Sequence, residues 1–438
     1  MTKGGISNMN PKVCVVGLGY VGLPTCIAFH DAGFSVCGID VDQGVIETLK
    51  GGKSHLVDEV EDLEVPISSS DWNVTSDFSE GIPHSDVILI CVPTPTNASR
   101  LPDLSYVEGA LESVVRELTP RKKPVIVLES TVYPGVTNQL TTEALQKHPE
   151  KKEMFEIAYS PERISPGDIG KSASDVSRIV GSNNVQIGEM LARIYSKVTK
   201  GGCTYVGSIE VAEAAKMVEN TQRDIDIAFV NELAKVLPKL GIDVEEVLDA
   251  ASTKWNFHRH NPGIGVGGHC IPVDPYYYIK FSEDVGQASL ISPAARRINE
   301  SMPSHAKDII ISKMPEKSSV LVLGMSYKPN VGDIRETPVK PLLKSLIDSR
   351  FEVYIYDPYL DKNEFKQTRA KALPSLVDLP PKIDGVILAT AHQKFLDLDW
   401  ADLRDRISGN FLFDGPRKLS PGVMKSYGWE YSGIGFPL

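Results

Sequence analysis

A thiol at the end of a glycine-rich turn, with a carboxylate four residues on, can carry acyl chemistry. Residues 261–275 read Asn-Pro-Gly-Ile-Gly-Val-Gly-Gly-His-Cys-Ile-Pro-Val-Asp-Pro. Gly263, Gly265, Gly267 and Gly268 lead into Cys270, and Asp274 follows. Glycines leave the backbone bare and free to adopt positive φ, so such a loop can lie close to a ligand. Cysteine is the most nucleophilic common side chain and can attack a bound electrophile. Read alone, the run also fits a surface turn that buries a structural cysteine.

Other groups suit the same chemistry. Lys216 and Asn220 stand four apart in a helical stretch and share one face. A cation and an amide so placed can stabilise a developing oxyanion; a solvated helix face is the plainer reading. Ser160-Pro161-Glu162-Arg163 offers Glu162 as a base or an orienter of water. Its neighbour Arg163 can hold a phosphate or a carboxylate. A surface ion pair would explain the same two residues. Thr94, in Val92-Pro93-Thr94-Pro95-Thr96, and Thr131, in Glu129-Ser130-Thr131-Val132-Tyr133-Pro134-Gly135, lie just past strand-like runs. Ligands bind outside such strand ends. Lys328, in Gly324-Met325-Ser326-Tyr327-Lys328-Pro329, sits where a nucleotide phosphate could dock, and Asp333-Ile334-Arg335 follows.

Near the N-terminus Gly17, Gly19 and Gly22 form G-x-G-x-x-G, with Tyr20 and Val21 inside it. The motif lies between an apolar run, 12–16, and a helical stretch to Ala32. In that setting the first glycine makes a tight turn and the second admits a pyrophosphate. The third allows close helix–strand packing. A phosphate would then meet the helix N-terminus. Asp40 ends the next strand, where a carboxylate accepts a ribose 2′-hydroxyl and repels a 2′-phosphate, favouring NAD. Together with Cys270, these features point to an NAD enzyme that holds its intermediate as a thioester.

These groups need a scaffold. Strand-like runs recur at 12–16, 35–39, 87–92, 124–129 and 155–158, with helical patterns between them. That alternation predicts a parallel, doubly wound sheet. Residues 210–240 read as one or two long helices, a natural link between lobes and a dimer interface. Strands at 319–324, 352–356, 385–390 and 411–414 then predict a second, smaller α/β domain. The expected fold is α/β, with two Rossmann-like doubly wound parallel-sheet domains joined by a central long-helix dimerisation region. The expected boundaries are 1–205, 206–305 and 306–438.

The 438 residues carry 42% hydrophobic and 24% charged side chains, ordinary for a globular protein. A net charge of −11 argues against nucleic acid as a partner. The polar N-terminus has no signal-like apolar core, and no apolar stretch nears the roughly 18 residues of a membrane span. None of the six cysteines shows C-x-x-C spacing, so neither zinc sites nor redox pairs are expected. The simplest account is a cytoplasmic protein with reduced thiols and no metal.

Taken in order, G-x-G-x-x-G, V-P-T-P, E-S-T-x-x-P-G, S-P-E-R, K-x-x-E-N, G-x-G-G-x-C-x-P-x-D and Y-K-x-x-x-x-D-x-R resemble the UDP-glucose/GDP-mannose dehydrogenase family over nearly the whole chain. The resemblance implies an NAD-dependent four-electron oxidation of a sugar C6 alcohol to a carboxylate. It also implies a thiohemiacetal and then a thioester on Cys270. By the same resemblance Lys216 and Asn220 act at the C6 oxygen, and Asp274 activates water or holds Lys216. Thr131 and Glu162 order water and cofactor, Lys328 contacts the nucleotide sugar, and Arg335 reaches NAD. Gly263 and Gly267 line the sugar. An arginine or lysine before the Cys loop, Arg259 or Lys254, crosses to a partner subunit of a homodimer.

Two departures from the family's UDP-glucose branch stand out. Arg163 and Pro166 replace an aromatic residue and a glutamate, and the Cys loop ends Ile-Pro-Val-Asp. Both resemble the branch acting on UDP-N-acetylhexosamines. Thr253-Lys254 and the Ile-Pro-Val-Asp-Pro-Tyr-Tyr tail lean towards UDP-N-acetylglucosamine over UDP-N-acetylmannosamine. A UDP-glucose or GDP-mannose dehydrogenase is the main rival. A single-step hydroxyacid dehydrogenase would need no thiol, and an NAD-responsive binding protein without activity would have no use for Cys270.

Overall fold

Val13-Cys14-Val15-Val16 is buried at all four positions. A strand apolar on both faces needs cover on both, which parallel sheets with flanking helices provide. Val87–Ile90, Val125–Leu128 and Ser319–Leu323 are buried end to end in the same way. The computed structural model describes residues 11–56, 63–67, 69–163, 175–361, 363–377 and 379–437. Pro166 and the N-terminal ten residues, both read above, lie outside them.

The chain separates into two compact units, Met1–Glu219 with Tyr276–Gln287, and Asn220–Pro275 with Ala288–Leu438. The first holds β1 (Val13–Val16), β2 (Val36–Ile39), β3 (Trp72–Thr75), β4 (Val87–Ile90), β5 (Val125–Leu128) and β6 (Glu156–Tyr159). They form one sheet, ordered β3-β2-β1-β4-β5-β6, with every pair parallel. A separate parallel pair joins β7 (Arg178–Val180) and β8 (Cys203–Tyr205). Val13 and Val15 enter the core on one face of the sheet, and Cys14 and Val16 the core on the other.

The second unit repeats the plan with β9 (Ser319–Leu323), β10 (Glu352–Tyr356), β11 (Lys371–Ala372), β12 (Gly385–Leu388), β13 (Phe411–Asp414) and β14 (Glu430–Gly433). Their order, β11-β10-β9-β12-β13-β14, matches the first sheet strand for strand. Each order reverses beside its first strand, at β1/β4 and at β9/β12, and such switch points open ligand crevices. Gly17 and Gly324 make equivalent turns after β1 and β9, with φ of 89° and 91°. Asp40, past β2, accepts the Leu18 N–H at 2.8 Å, and Asp357, past β10, accepts the Met325 N–H at 2.8 Å.

The doubly wound fold is as the alternation implied. The sequence reading omitted β3, β7, β8, β11 and β14. These strands have two to four residues each and mix polar with apolar side chains, as edge strands do. A single long helix, Ile209–Val236, covers most of 210–240, and a short 3₁₀ turn, Leu237–Leu240, ends it. Among the described residues no helix is long and apolar enough to cross a membrane.

One core carboxylate gives the second unit a pH signature. Asp414 is fully buried at the end of β13, with Oδ2 accepting from Leu419 N–H at 2.7 Å and Tyr431 O–H at 3.0 Å. Burial pushes its pKa from an ordinary 3.8 up to about 6, against those hydrogen bonds. The folded state therefore holds this proton more tightly than the unfolded chain. The resulting stabilisation is complete below 3.8 and is lost as pH rises through about 6. Urea midpoints of wild type and Asp414→Asn are expected to shift in the variant's favour across that window. Parallel profiles would refute the assignment.

Candidate active site

The first unit builds the nucleotide turn. A Cβ on Gly17 would meet the Cys91 carbonyl oxygen at 2.8 Å, and one on Gly22 would lie 1.7 Å from the Gly17 carbonyl oxygen. Both positions are therefore closed to side chains. Gly19 has no atom within 4 Å of its Cβ direction. It presents bare backbone to open space beside the helix Gly22–Asp31, whose start no side chain caps. That combination fits a pyrophosphate against free N–H groups. Tyr20 and Val21 lie between these glycines, both half-buried. Asp40 has a structural duty that the motif does not reveal, since Leu18 and Asp42 N–H groups each donate to one of its oxygens.

The turns after β5 and β6 are joined by one buried cation. Arg178, on β7, reaches both oxygens of Glu129 at 3.2 and 3.3 Å and pairs closely with Glu162. Tyr195 donates to Glu129 at 2.5 Å, and all four side chains are buried. Burial raises the Glu129 carboxyl despite Arg178; it also opposes the Arg178 charge, but the two carboxylates outweigh it and hold that cation on. Glu129 begins the E-S-T motif and Glu162 belongs to S-P-E-R, so Arg178 fixes both turns at once. The second Glu162 oxygen accepts the Arg163 N–H at 2.7 Å. Arg163 itself grips Glu219 through two nitrogens, at 2.7 and 3.1 Å, as in the plainer ion-pair reading. Thr131 is half-buried, and next to it Ser130 donates to the Val92 carbonyl at 2.7 Å. The Thr94 carbonyl accepts Tyr277 O–H at 3.0 Å.

Lys216 rides on the long helix, which docks through carboxylates. Glu213 accepts the Gly135 and Thr137 N–H groups at 2.7 and 2.9 Å, at the start of the helix Val136–Lys147. It serves as the cap that glycine cannot supply, and an anion there suits the helix dipole. Burial raises the Glu213 carboxyl, and the hydrogen bonds from Thr137 and Gly135 counter it. Lys216, three residues on, is 6% exposed.

In the second unit the Cys270 carbonyl accepts the N–H groups of Val273 and Asp274 at 3.0 and 2.8 Å. This tight turn carries Cys270 and leads into the helix Asp274–Asp284. Asn220 donates to the buried Asp274 carboxylate at 2.5 Å. Asn220, Asp274 and the Cys270 turn thus form one hydrogen-bonded group.

The glycines of this loop serve mainly as packing surfaces. A Cβ on Gly265 would sit 2.7 Å from Pro338, one on Gly267 2.6 Å from Tyr327, and one on Gly268 2.9 Å from the Tyr327 ring. Only Gly263, of the four, faces open space. Gly265 and Gly268 adopt positive φ, 139° and 92°, as expected of bare glycines, while the loop after β9 packs against them and against Gly267. The Gly268 N–H also donates to the Arg335 carbonyl at 3.1 Å. The Cys loop and the Lys328–Arg335 loop are therefore one structure. Beneath it, the buried His392 lies 3.1 Å from Asp357 and accepts the Asn330 N–H at 2.8 Å, which anchors the Lys328 turn. Arg335 forks onto Asp333 at 2.9 and 3.0 Å. Arg259 pairs with Glu245 and Asp249 of its own chain.

One buried network escaped the sequence reading. Asp224 accepts from Arg296 at 2.6 Å and Asn299 at 2.8 Å; Asn231 donates to Asn299 at 2.8 Å and accepts the Gly263 N–H at 2.9 Å. It ties two helices to the first glycine of the Cys loop. Its only trace in the sequence is polar residues at helical spacing, Arg296 with Asn299 and Asp224 with Asn231.

Comparison with known proteins agrees with this geometry. The UDP-glucose/GDP-mannose dehydrogenase family's NAD binding domain matches residues 11–199, its central domain 210–301 and its UDP binding domain 321–421. The UDP-N-acetyl-D-glucosamine 6-dehydrogenase of Pseudomonas aeruginosa is 35% identical, over 90% of this chain and 93% of its own. The protein of that name from Salmonella typhi is 37% identical, over 90% and 92%. The solved UDP-D-ManNAc dehydrogenase of Pyrococcus horikoshii superposes with a TM-score of 0.85 at 30% identity, covering 97% of this chain and 99% of its own. With its NAD-binding turn, its Cys270 loop and matches that span nearly its whole length, the chain belongs to the UDP-glucose/GDP-mannose dehydrogenase family.

Proposed function

We propose that this enzyme oxidises the C6 hydroxyl of a UDP-N-acetylhexosamine, by preference UDP-N-acetylglucosamine, to the carboxylate. The observation that carries the reading is the Asn220–Asp274–Cys270 group, in which the turn holding the thiol and the carboxylate is hydrogen-bonded to an amide of the long helix. NAD, when bound, supplies the hydride acceptor for both oxidations. Gly17, Gly19, Tyr20, Val21, Gly22, Asp40, Thr94, Thr131 and Arg335 are the residues assigned to hold it. The Cys270 sulfur adds to the C6 aldehyde, forming a C–S bond and a thiohemiacetal. Oxidation of that adduct gives a thioester, and water displaces the thiol to release the acid.

Lys216 and Asn220 stabilise the C6 oxyanion. Thr131, Glu162 and Asp274 order or activate the water. With Arg178 and the Arg163 N–H on its two oxygens, Glu162 is suited to accept a hydrogen bond at a fixed place. Arg163, Arg259, Gly263, Gly267 and Lys328 are assigned to the nucleotide sugar. The preference for the gluco substrate rests on the Thr253-Lys254 and Ile-Pro-Val-Asp-Pro-Tyr-Tyr segments and on the higher identity to relatives named for it. The enzyme acts in the cytoplasm as a homodimer, with functional segments at 1–205, 206–305 and 306–438.

The test is NADH formation with UDP-N-acetylglucosamine, UDP-N-acetylmannosamine and UDP-glucose, counted per sugar consumed. A ratio near two with UDP-N-acetylglucosamine supports the reading. A ratio near one, or activity with UDP-glucose alone, overturns it. Asp40→Ala is expected to weaken NAD binding by about 10-fold or more, the worth of a hydrogen bond to a charged group. Isothermal titration at matched folded fractions measures this, and an unchanged Kd would remove Asp40 from the cofactor site.

A further inference from the structure

We infer that Cys37 and Cys14 form a thiol-oxidation site, in which a hydroperoxide oxidises Cys37 and Cys14 resolves it into a cross-strand disulfide. The two residues stand opposite each other in the parallel β1–β2 ladder. Neighbouring strands lie about 4.7–4.9 Å apart, within the roughly 4.4–6.8 Å between Cα atoms that a disulfide spans. Both side chains point to the same face and meet at Gly81. A Cβ there would lie 3.0 Å from the Cys37 sulfur and 3.4 Å from the Cys14 sulfur. Absence of a side chain at Gly81 leaves the two sulfurs room to approach. Their separation in sequence is why a search for C-x-x-C spacing missed them.

The two thiols differ in the way an attacking and a resolving cysteine should. Cys14 is fully buried, whereas Cys37 is partly exposed near the Asn73 amide. The hydrogen bond from Cys14 lowers the Cys37 pKa against burial, and the same bond, with burial, raises that of Cys14. Cys203, also partly exposed, is pushed up to about 11 by burial and stands opposite Arg178 in its ladder, not a second thiol. Oxidation-sensitive cysteines are accessible, of low pKa and next to a resolving thiol.

The chemistry balances. The Cys37 thiolate attacks the terminal peroxide oxygen; an S–O bond forms, the O–O bond breaks, and hydroxide leaves from hydrogen peroxide or alkoxide from an organic hydroperoxide. Cys14 sulfur then attacks Cys37 sulfur; the S–S bond forms, the S–O bond breaks and water departs with the Cys14 proton. Gly17 and Asp40 each lie three residues beyond one of these cysteines. Closing the bridge therefore fixes the strand ends under the nucleotide turn, and on the proposed function this weakens NAD binding.

The experiment treats the full-length Cys270→Ser protein with stoichiometric hydrogen peroxide and cleaves it before Asp31 and Asp40. The expected product is the 31–39 peptide joined to the preceding peptide, which holds both Cys14 and Cys26, with fragment ions placing the bond at Cys14; it is two hydrogens lighter than the sum and separated again by dithiothreitol. In Cys14→Ser, dimedone is expected to trap Cys37 as its sulfenic acid. A Cys37 sulfinic acid with Cys14 free, a bridge to Cys26, or no change at Cys37 would each overturn the site, whatever the enzyme's substrate. The NAD Kd of oxidised protein is expected to rise several-fold over that of reduced protein. An unchanged Kd with the bridge formed would refute its effect on the cofactor.

Discussion

Turnover of Cys270→Ser is expected to fall by about 10³-fold or more, with NAD affinity and melting temperature unchanged. Serine keeps the shape of the side chain but not its chemistry. Sulfur is intrinsically the stronger nucleophile, whereas a hydroxyl attacks only with help from a base. Loss of a covalent nucleophile of this kind removes most of a site's catalysis, leaving what binding and oxyanion stabilisation supply. The Cys270 carbonyl, which accepts from Val273 and Asp274, belongs to the backbone and survives the change. The turn and the Asn220–Asp274 bond should therefore persist, and the loss should appear in kcat. Steady-state rates and quenched single-turnover products measure it. Full activity would eliminate the thioester route.

Arg178→Ala should have the largest effect on stability, about 3–5 kcal/mol, the usual cost of removing one partner from a buried ion pair. Glu129 and Glu162 are 2% and 7% exposed, and each would lose its ion pair with Arg178. Stripped of Arg178, both carboxylates are expected to take up protons in the folded state above their unfolded pKa values. The variant should then be most stable at low pH and lose stability as pH rises through the raised values, a steeper slope than the already raised Glu129 gives wild type. Urea melts from pH 4 to 8 report both effects. Glu129→Gln with Glu162→Gln in the Arg178→Met background should recover part of the loss. A cost below about 1 kcal/mol, with no new pH slope, would show that the buried triad is not integral to the fold.

Much of this was legible in the sequence because it depends on local patterning. Apolar runs alternating with helical stretches identify the central strands, and the spacing of Gly17, Gly19 and Gly22 assigns each glycine its job. Gly22, whose Cβ would meet a carbonyl, and Gly19, whose Cβ would meet nothing, behave as that fingerprint implies. Legibility ended where contacts are long-range. Arg178 looks like any polar residue until β7 carries it to Glu129 and Glu162. Asp224 and Arg296 meet across 72 positions of sequence, and neither is marked by its neighbours. The packing role of the glycines before Cys270 is hidden for the same reason: Tyr327 and Pro338, which fill the space beside three of them, come from a distant loop.

The repeated aspartate after the second strand separates two duties that one residue can combine. Both copies fasten the turn after the first strand, through Leu18 in one sheet and Met325 in the other. Asp40 keeps part of its surface open, whereas Asp357 is 3% exposed and sealed by His392. The second sheet thus has the same fastener with its outer face covered, so the shared fold need not bring a shared ligand. A loop-locking acid at this position is a weak guide to dinucleotide binding when its outer face is covered. Exposure of the carboxylate, more than its presence, decides whether such a turn can also receive a ribose.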